Sequence, residues 1–120
     1  MTHHSPPLPH GPVRGSTSGR PIMAILDLLG RRWSLRILWE LRQGTPLTFR
    51  ALQTACDAVS PTVLQQRLKD LKAAGLVGHD GSHGYALSPP ARRLLPTLLA
   101  LNDWAEAWAK DMAAGSEQEE

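Results

Sequence analysis

A mainly α-helical domain with one small β-hairpin and a long C-terminal helix is the fold class this 120-residue sequence predicts. Three observations predict it. Apolar side chains recur at 3.6-residue spacing in segments opened by Ser, Thr or Pro and closed by Gly. An Asp80-Gly81 pair separates two short runs in which that period breaks, and Asp-Gly is a strong hairpin signal. From Pro89 onward, leucines and tryptophans continue for longer than one core-facing stripe requires.

Residues 1–19 are rich in Pro, His, Gly and Ser and bury too little surface to offset ordering, so a disordered tail is expected there. No apolar h-region marks a secretory signal. Pro21 opens a first helix carrying Ile22, Ile25, Leu26, Leu28 and Leu29, closed by Gly30. A second is predicted from about Trp33 to Gln43, closed by Gly44. Thr45-Pro46-Leu47 reads as a short extended piece, because Pro46 disfavours helix at Thr45. Thr48 caps a third helix, Phe49 to about Cys56, with Phe49 and Leu52 inward. Asp57-Ala58-Val59 turns the chain into a fourth helix, with Ser60 at its cap, Pro61 at its first position and Gly75 past its end.

The fourth helix carries the clearest signal. Leu64, Leu68 and Leu71 share one face, and Thr62, Gln65, Gln66 and Lys69 share the opposite one. That polar face contains no acid. Gln pairs bidentately with an adenine edge, and Lys reaches guanine or phosphate. Helix, short turn, amphipathic helix is the helix-turn-helix arrangement, and the hairpin that follows stands where a wing would. Ser88 then caps the last helix. Pro96 should kink it, and fraying is expected after about Ala114. The domain therefore spans 20–113, with an acidic tail over 114–120.

Charge agrees with an anionic partner. Net charge is only +2, but residues 31–72 hold eight bases against Glu40, Asp57 and Asp70, whereas residues 73–120 hold three bases against seven acids. A basic block centred on the fourth helix attracts nucleic acid at long range. No apolar run approaches the ~20 residues of a membrane span. The single Cys56 excludes an internal disulfide and fits a reducing cytoplasm. No nucleophile elbow, phosphate loop or paired carboxylates point to an enzyme. Cys56, His79 and His83 have no known ligand spacing, so neither a metal nor another cofactor is expected.

The order of elements is that of a winged helix, and the residues resemble one family: the HxlR-type bacterial transcription regulators, relatives of the MarR group. Ala24 through Leu41, with a helix ending in Gly30 and Trp33 leading the next, is similar to that family's opening. Phe49-Arg50-Ala51-Leu52, Ser60-Pro61, Gln66 through Leu71, Ala74-Gly75-Leu76-Val77, Tyr85 through Ser88 and Trp104 also match, so the resemblance covers about residues 20–108 in order. It implies a homodimeric repressor or activator binding a palindromic operator. Two departures stand out. Many members carry a redox-sensing Cys before the Pro that opens the first helix, and here Arg20 holds that place. The wing is also short, with only Asp80 to His83 between its strands.

The roles expected on double-stranded DNA follow. Thr62, Gln65, Gln66 and Lys69 enter the major groove. Ser60, Thr48 and Arg50 hold phosphates near helix starts, where free amides favour anions, and His79 or His83 touches phosphate from the wing. Arg67 either clamps a phosphate or forms an internal salt bridge. The apolar surplus of the first and last helices assigns Ile22, Ile25, Leu98, Leu101, Trp104 and Trp108 to a dimer interface. A pocket between those helices would suit an aromatic effector, though no residue specifies one. Cys56 is either a buried, inert thiol or, with bases nearby, redox-active. The competing class is a winged helix that docks proteins and binds no DNA.

Overall fold

The computed structural model describes residues 20–119, with side chains to Gly115, so the tail expected over 1–19 lies outside the described residues. The elements run α1 (Pro21–Leu29), α2 (Ser34–Glu40), α3 (Phe49–Ala55), α4 (Pro61–Ala73), β1 (Val77–Asp80), β2 (Gly84–Leu87) and α5 (Pro89–Glu119). The fold is a winged helix-turn-helix with a long C-terminal helix.

Side-chain chemistry sets the helix ends. The Thr48 hydroxyl accepts the Ala51 N–H at 3.1 Å, and the Ser60 hydroxyl accepts that of Val63 at 3.2 Å, as caps should. Beyond α4, Gly75 takes φ +75°, its N–H reaches Lys72 O, and Leu76 N–H reaches Leu71 O. This paired closure satisfies carbonyls the helix would otherwise leave open. α2 stops three residues before Gln43. There the Leu41 N–H is shared between Ile37 O and Leu38 O, and Arg42 N–H bonds Trp39 O, tightening the last turn out of α geometry. α5 is continuous through Pro96 and runs on past Ala114. Its last residues, Glu117, Gln118 and Glu119, are good helix formers.

The core is one cluster. Leu28 of α1, Ile37 and Leu38 of α2, Leu52 and Cys56 around α3, Leu64, Leu68 and Leu71 of α4, Val77 and Leu87 of the hairpin, and Ala91 and Leu98 of α5 are all buried in it. Each helix thus contributes one stripe, and burying a leucine is worth about 1.5–3 kcal/mol.

The wing is antiparallel, pairing Val77 with Leu87 and Asp80 with Gly84. Leu47, in the extended piece before α3, adds a bridge to Tyr85 through bonds of 2.9 and 2.7 Å. Gly84 makes that approach feasible. It sits at φ +112°, and a Cβ there would collide with the Leu47 carbonyl and the Thr48 nitrogen. The wing is therefore fastened to the start of α3. Among the described residues, three non-glycine residues hold positive φ: Trp33, which leads α2, and Asp57 and Ala58, which form the turn between α3 and α4.

Candidate nucleic-acid interface

Leu64, Leu68 and Leu71 anchor α4 in the core, and this turns Thr62, Gln65, Gln66 and Lys69 outward, all exposed. Lys72, one turn beyond Lys69, is exposed as well. The presented surface is amide, hydroxyl and ammonium, on a helix held by its opposite side.

One acid lies at the flank of this face, and the polarity pattern did not reveal its use. Asp70 is 3% exposed. Its Oδ2 accepts from Arg67 Nη1 at 2.7 Å and pairs with Arg31 Nη1 at 3.2 Å, while its Oδ1 accepts from Gln66 Nε2 at 3.1 Å. Arg31 also pairs with Asp27 of α1, and Arg67 Nε donates to Arg32 O at 3.0 Å. Burial alone would push the Asp70 carboxyl up. The bonds from Gln66, Arg67 and Arg31 outweigh that and hold it below the ordinary carboxylate range. Of the two uses left open for Arg67, the internal salt bridge is the one formed. Asp70's spacing of three from Arg67 and four from Gln66 was the available signal.

Thr48 and Arg50, at the start of α3, are exposed. The turn behind them is tied to α2. Arg36 donates to Ala55 O at 2.8 Å and pairs with Asp57 at 3.1 Å and with Glu40 at 2.8 Å. Gln53 Nε2 donates to Val59 O at 2.9 Å across the same turn. On the wing, His83 Nδ1 lies 2.8 Å from Asp80 Oδ2, and this contact holds the exposed Asp80 carboxyl below its ordinary value. The His79 ring meets Tyr85 edge-on at 4.4 Å between centroids. Both histidines are exposed.

A second surface lies along α1 and α5. Ile22, Leu101, Trp104 and Trp108 are more than half exposed, and Trp104 and Trp108 stack at 6.0 Å with planes 7° apart. Leu26, Leu99 and Met112 extend this surface beyond the residues expected. Ile25 is half-buried against the core. Leu98 corrects the expectation: it is buried in its own core, because it lies on the stripe of α5 that continues from Ala91. Between α1, α2 and α5 opens an apolar cavity of about 350 Å3, lined by Ile22, Ile25, Leu26, Leu29, Leu94 and Leu101 among others.

Cys56 is fully buried, and burial pushes its thiol up against the opposing effect of Arg36. Of the two alternatives for Cys56, this favours the buried, inert thiol, since the thiolate is the reactive form. Among the described residues, no group of three or more His, Cys, Asp or Glu could hold a metal ion, and no helix is long and apolar enough to cross a membrane.

Comparison with known proteins agrees with this architecture. Residues 28–113 match the HxlR-like helix-turn-helix family. The chain is 30% identical over 89 residues to YvaP of Bacillus subtilis, named as an uncharacterised HTH-type transcriptional regulator; the match covers 69% of this chain and 82% of YvaP. The crystal structure of quinone-bound YodB from B. subtilis superposes with a TM-score of 0.66 at 27% identity, covering 73% of this chain and 98% of that one. A crystal structure from Enterococcus faecalis, of a regulator assigned to the MarR family, gives a TM-score of 0.65 at 27% identity, over 82% of this chain and 97% of that one.

Proposed function

The chain belongs to the HxlR-like helix-turn-helix family of DNA-binding transcription regulators, and we propose that it acts as a homodimeric repressor on a palindromic operator. The observation that carries this reading is the outward face of α4. Thr62, Gln65, Gln66 and Lys69 are exposed together on a helix whose other side is fixed in the core. In this reading they meet base edges in the major groove, while Ser60, Thr48, Arg50, His79 and His83 hold phosphates and set the register. Arg67 supports the reader from within.

The exposed strip of α1 and α5 supports a dimer. Side chains as large as Trp104 and Trp108 are costly to leave in water, and a second copy of the strip would cover them. Two α4 helices related by a twofold axis then require a palindromic site. In this reading the operator overlaps a promoter, so that its occupation excludes polymerase, and the protein works in the cytoplasm with the DNA. The cavity between α1, α2 and α5 supports response to a small apolar effector, and the quinone held by YodB is the kind of planar, uncharged molecule that would suit it.

The test is fluorescence anisotropy with duplexes taken from upstream of the protein's own gene, at increasing salt. Binding that discriminates among duplexes and falls steeply with salt is the expected result, because phosphate contacts release counterions. A winged helix that docks proteins instead would ignore every duplex at low salt.

A further inference from the structure

Gln66 and Asp70 lie one helical turn apart on α4, Gln66 exposed and Asp70 buried. We propose that Asp70 sets the base preference of α4 by holding the Gln66 carboxamide so that it offers DNA one N–H and one carbonyl oxygen, the complement of adenine. The inference rests on α4 being the reading helix.

A carboxylate that is ionised only accepts hydrogen bonds, so the atom of Gln66 facing Asp70 Oδ1 at 3.1 Å has to be the amide nitrogen. One of its two N–H groups is thereby used. The other N–H and Oε1 are left for a base. Adenine presents N7 as acceptor and N6–H as donor in the major groove, and this pair satisfies both. Guanine presents two acceptors, N7 and O6, and would need both N–H groups of Gln66 at once. The arrangement therefore accepts adenine and penalises guanine.

The anchoring of Asp70 makes the orientation durable. Its Oδ2 is held by Arg67 at 2.7 Å and Arg31 at 3.2 Å, so the carboxylate cannot turn away from Gln66 without abandoning two guanidinium groups. Arg67 and Arg31 are themselves tied to Arg32 O and Asp27, outside α4. The same anchoring predicts what Asp70→Asn does. The guanidinium groups only donate and so keep the Asn oxygen beside them, which places the new amide nitrogen where Oδ1 was, facing Gln66. Gln66 must then turn its Oε1 inward, presenting both N–H groups outward. That pattern suits guanine.

The experiment selects sites from a randomised duplex pool with wild-type protein, Gln66→Met and Asp70→Asn, each verified as folded by thermal melting. The base pair whose selection disappears in Gln66→Met is the one Gln66 reads. In wild type it is expected to carry adenine. In Asp70→Asn the adenine-over-guanine ratio of affinities there is expected to fall by about tenfold or more, the size of a good bidentate contact, while preferences at other positions hold. An unchanged ratio, or an equal loss at every position, overturns the inference. If Asp70→Asn does not fold, wild type and Gln66→Met decide alone, and any base other than adenine at the Gln66-dependent position overturns it. A wild-type protein that enriches no sequence overturns the reading-helix proposal as well. One that enriches a site lacking that adenine overturns only this inference.

Discussion

α4 and the distal half of α5 are both amphipathic helices, yet they solve opposite problems. α4 buries its leucines in its own chain and shows water a face of amides, hydroxyl and ammonium. Distal α5 leaves its own core after Leu98 and shows water Leu101, Trp104, Trp108 and Met112. A polar face costs little in water and is free to exchange hydration for base edges and phosphates. An apolar face of that size is stable only under another apolar surface. Helical period alone does not separate the two. The identity of the outward residues does, once the core-facing stripe has been assigned.

The largest expected effect breaks the α5 side. Trp104→Glu with Trp108→Glu should weaken self-association by about 4 kcal/mol, roughly a thousandfold, since central tryptophans dominate interfaces. Sedimentation should show a monomer that retains its helical circular dichroism. Within α4 the two faces should separate cleanly. Leu64→Ala should lower unfolding free energy by roughly 2–5 kcal/mol, whereas Gln65→Ala should change it by less than about 0.5 kcal/mol; urea denaturation measures both.

A third effect is confined to acid. Because the Asp70 carboxyl titrates below its ordinary value of 3.8 in the folded chain, its contribution is complete above that value. It is lost as pH falls through the lower, folded value. The urea midpoint should therefore drop on acidification below about pH 4, and Asp70→Asn should flatten that drop. The smallest effect is in the turn that joins α3 to α4. Ala58 holds φ +60°, so Ala58→Gly should raise stability by about 0.5–1 kcal/mol by relieving left-handed strain, read as a higher melting temperature.

Much of this architecture is legible in the sequence because local chemistry specifies it. Ser60, Pro61 and Gly75 bound α4, Thr48 caps α3, and Asp80-Gly81 marks the wing, each through atoms a few residues away. What stays hidden depends on distant partners. Arg67 meets Arg32 O across 35 residues, a partner that the local spacing to Asp70 does not reveal. Gly84 looks like one more turn glycine until the Leu47 backbone is seen against it. Leu98 and Leu101 are both leucines of one helix, and only the packing of α5 on the core separates the buried one from the exposed one. The polar face of α4 was legible and the spacing of Gln66 and Asp70 hinted at their contact, but the burial of the acid was not, because Arg31, in the loop after α1, pairs with it from outside α4.

The most direct measurement of whether α4 reads DNA is the affinity of Gln66→Ala and of Lys69→Ala for a duplex that wild type binds selectively, beside a scrambled duplex of equal length. Each change should weaken selective binding by at least ~1 kcal/mol, about fivefold, with the helical circular dichroism retained. Lys69→Ala should leave the melting temperature unaltered, whereas Gln66→Ala should lower it because the buried Asp70 carboxylate loses a donor. Selective binding that survives both substitutions undiminished would contradict the account.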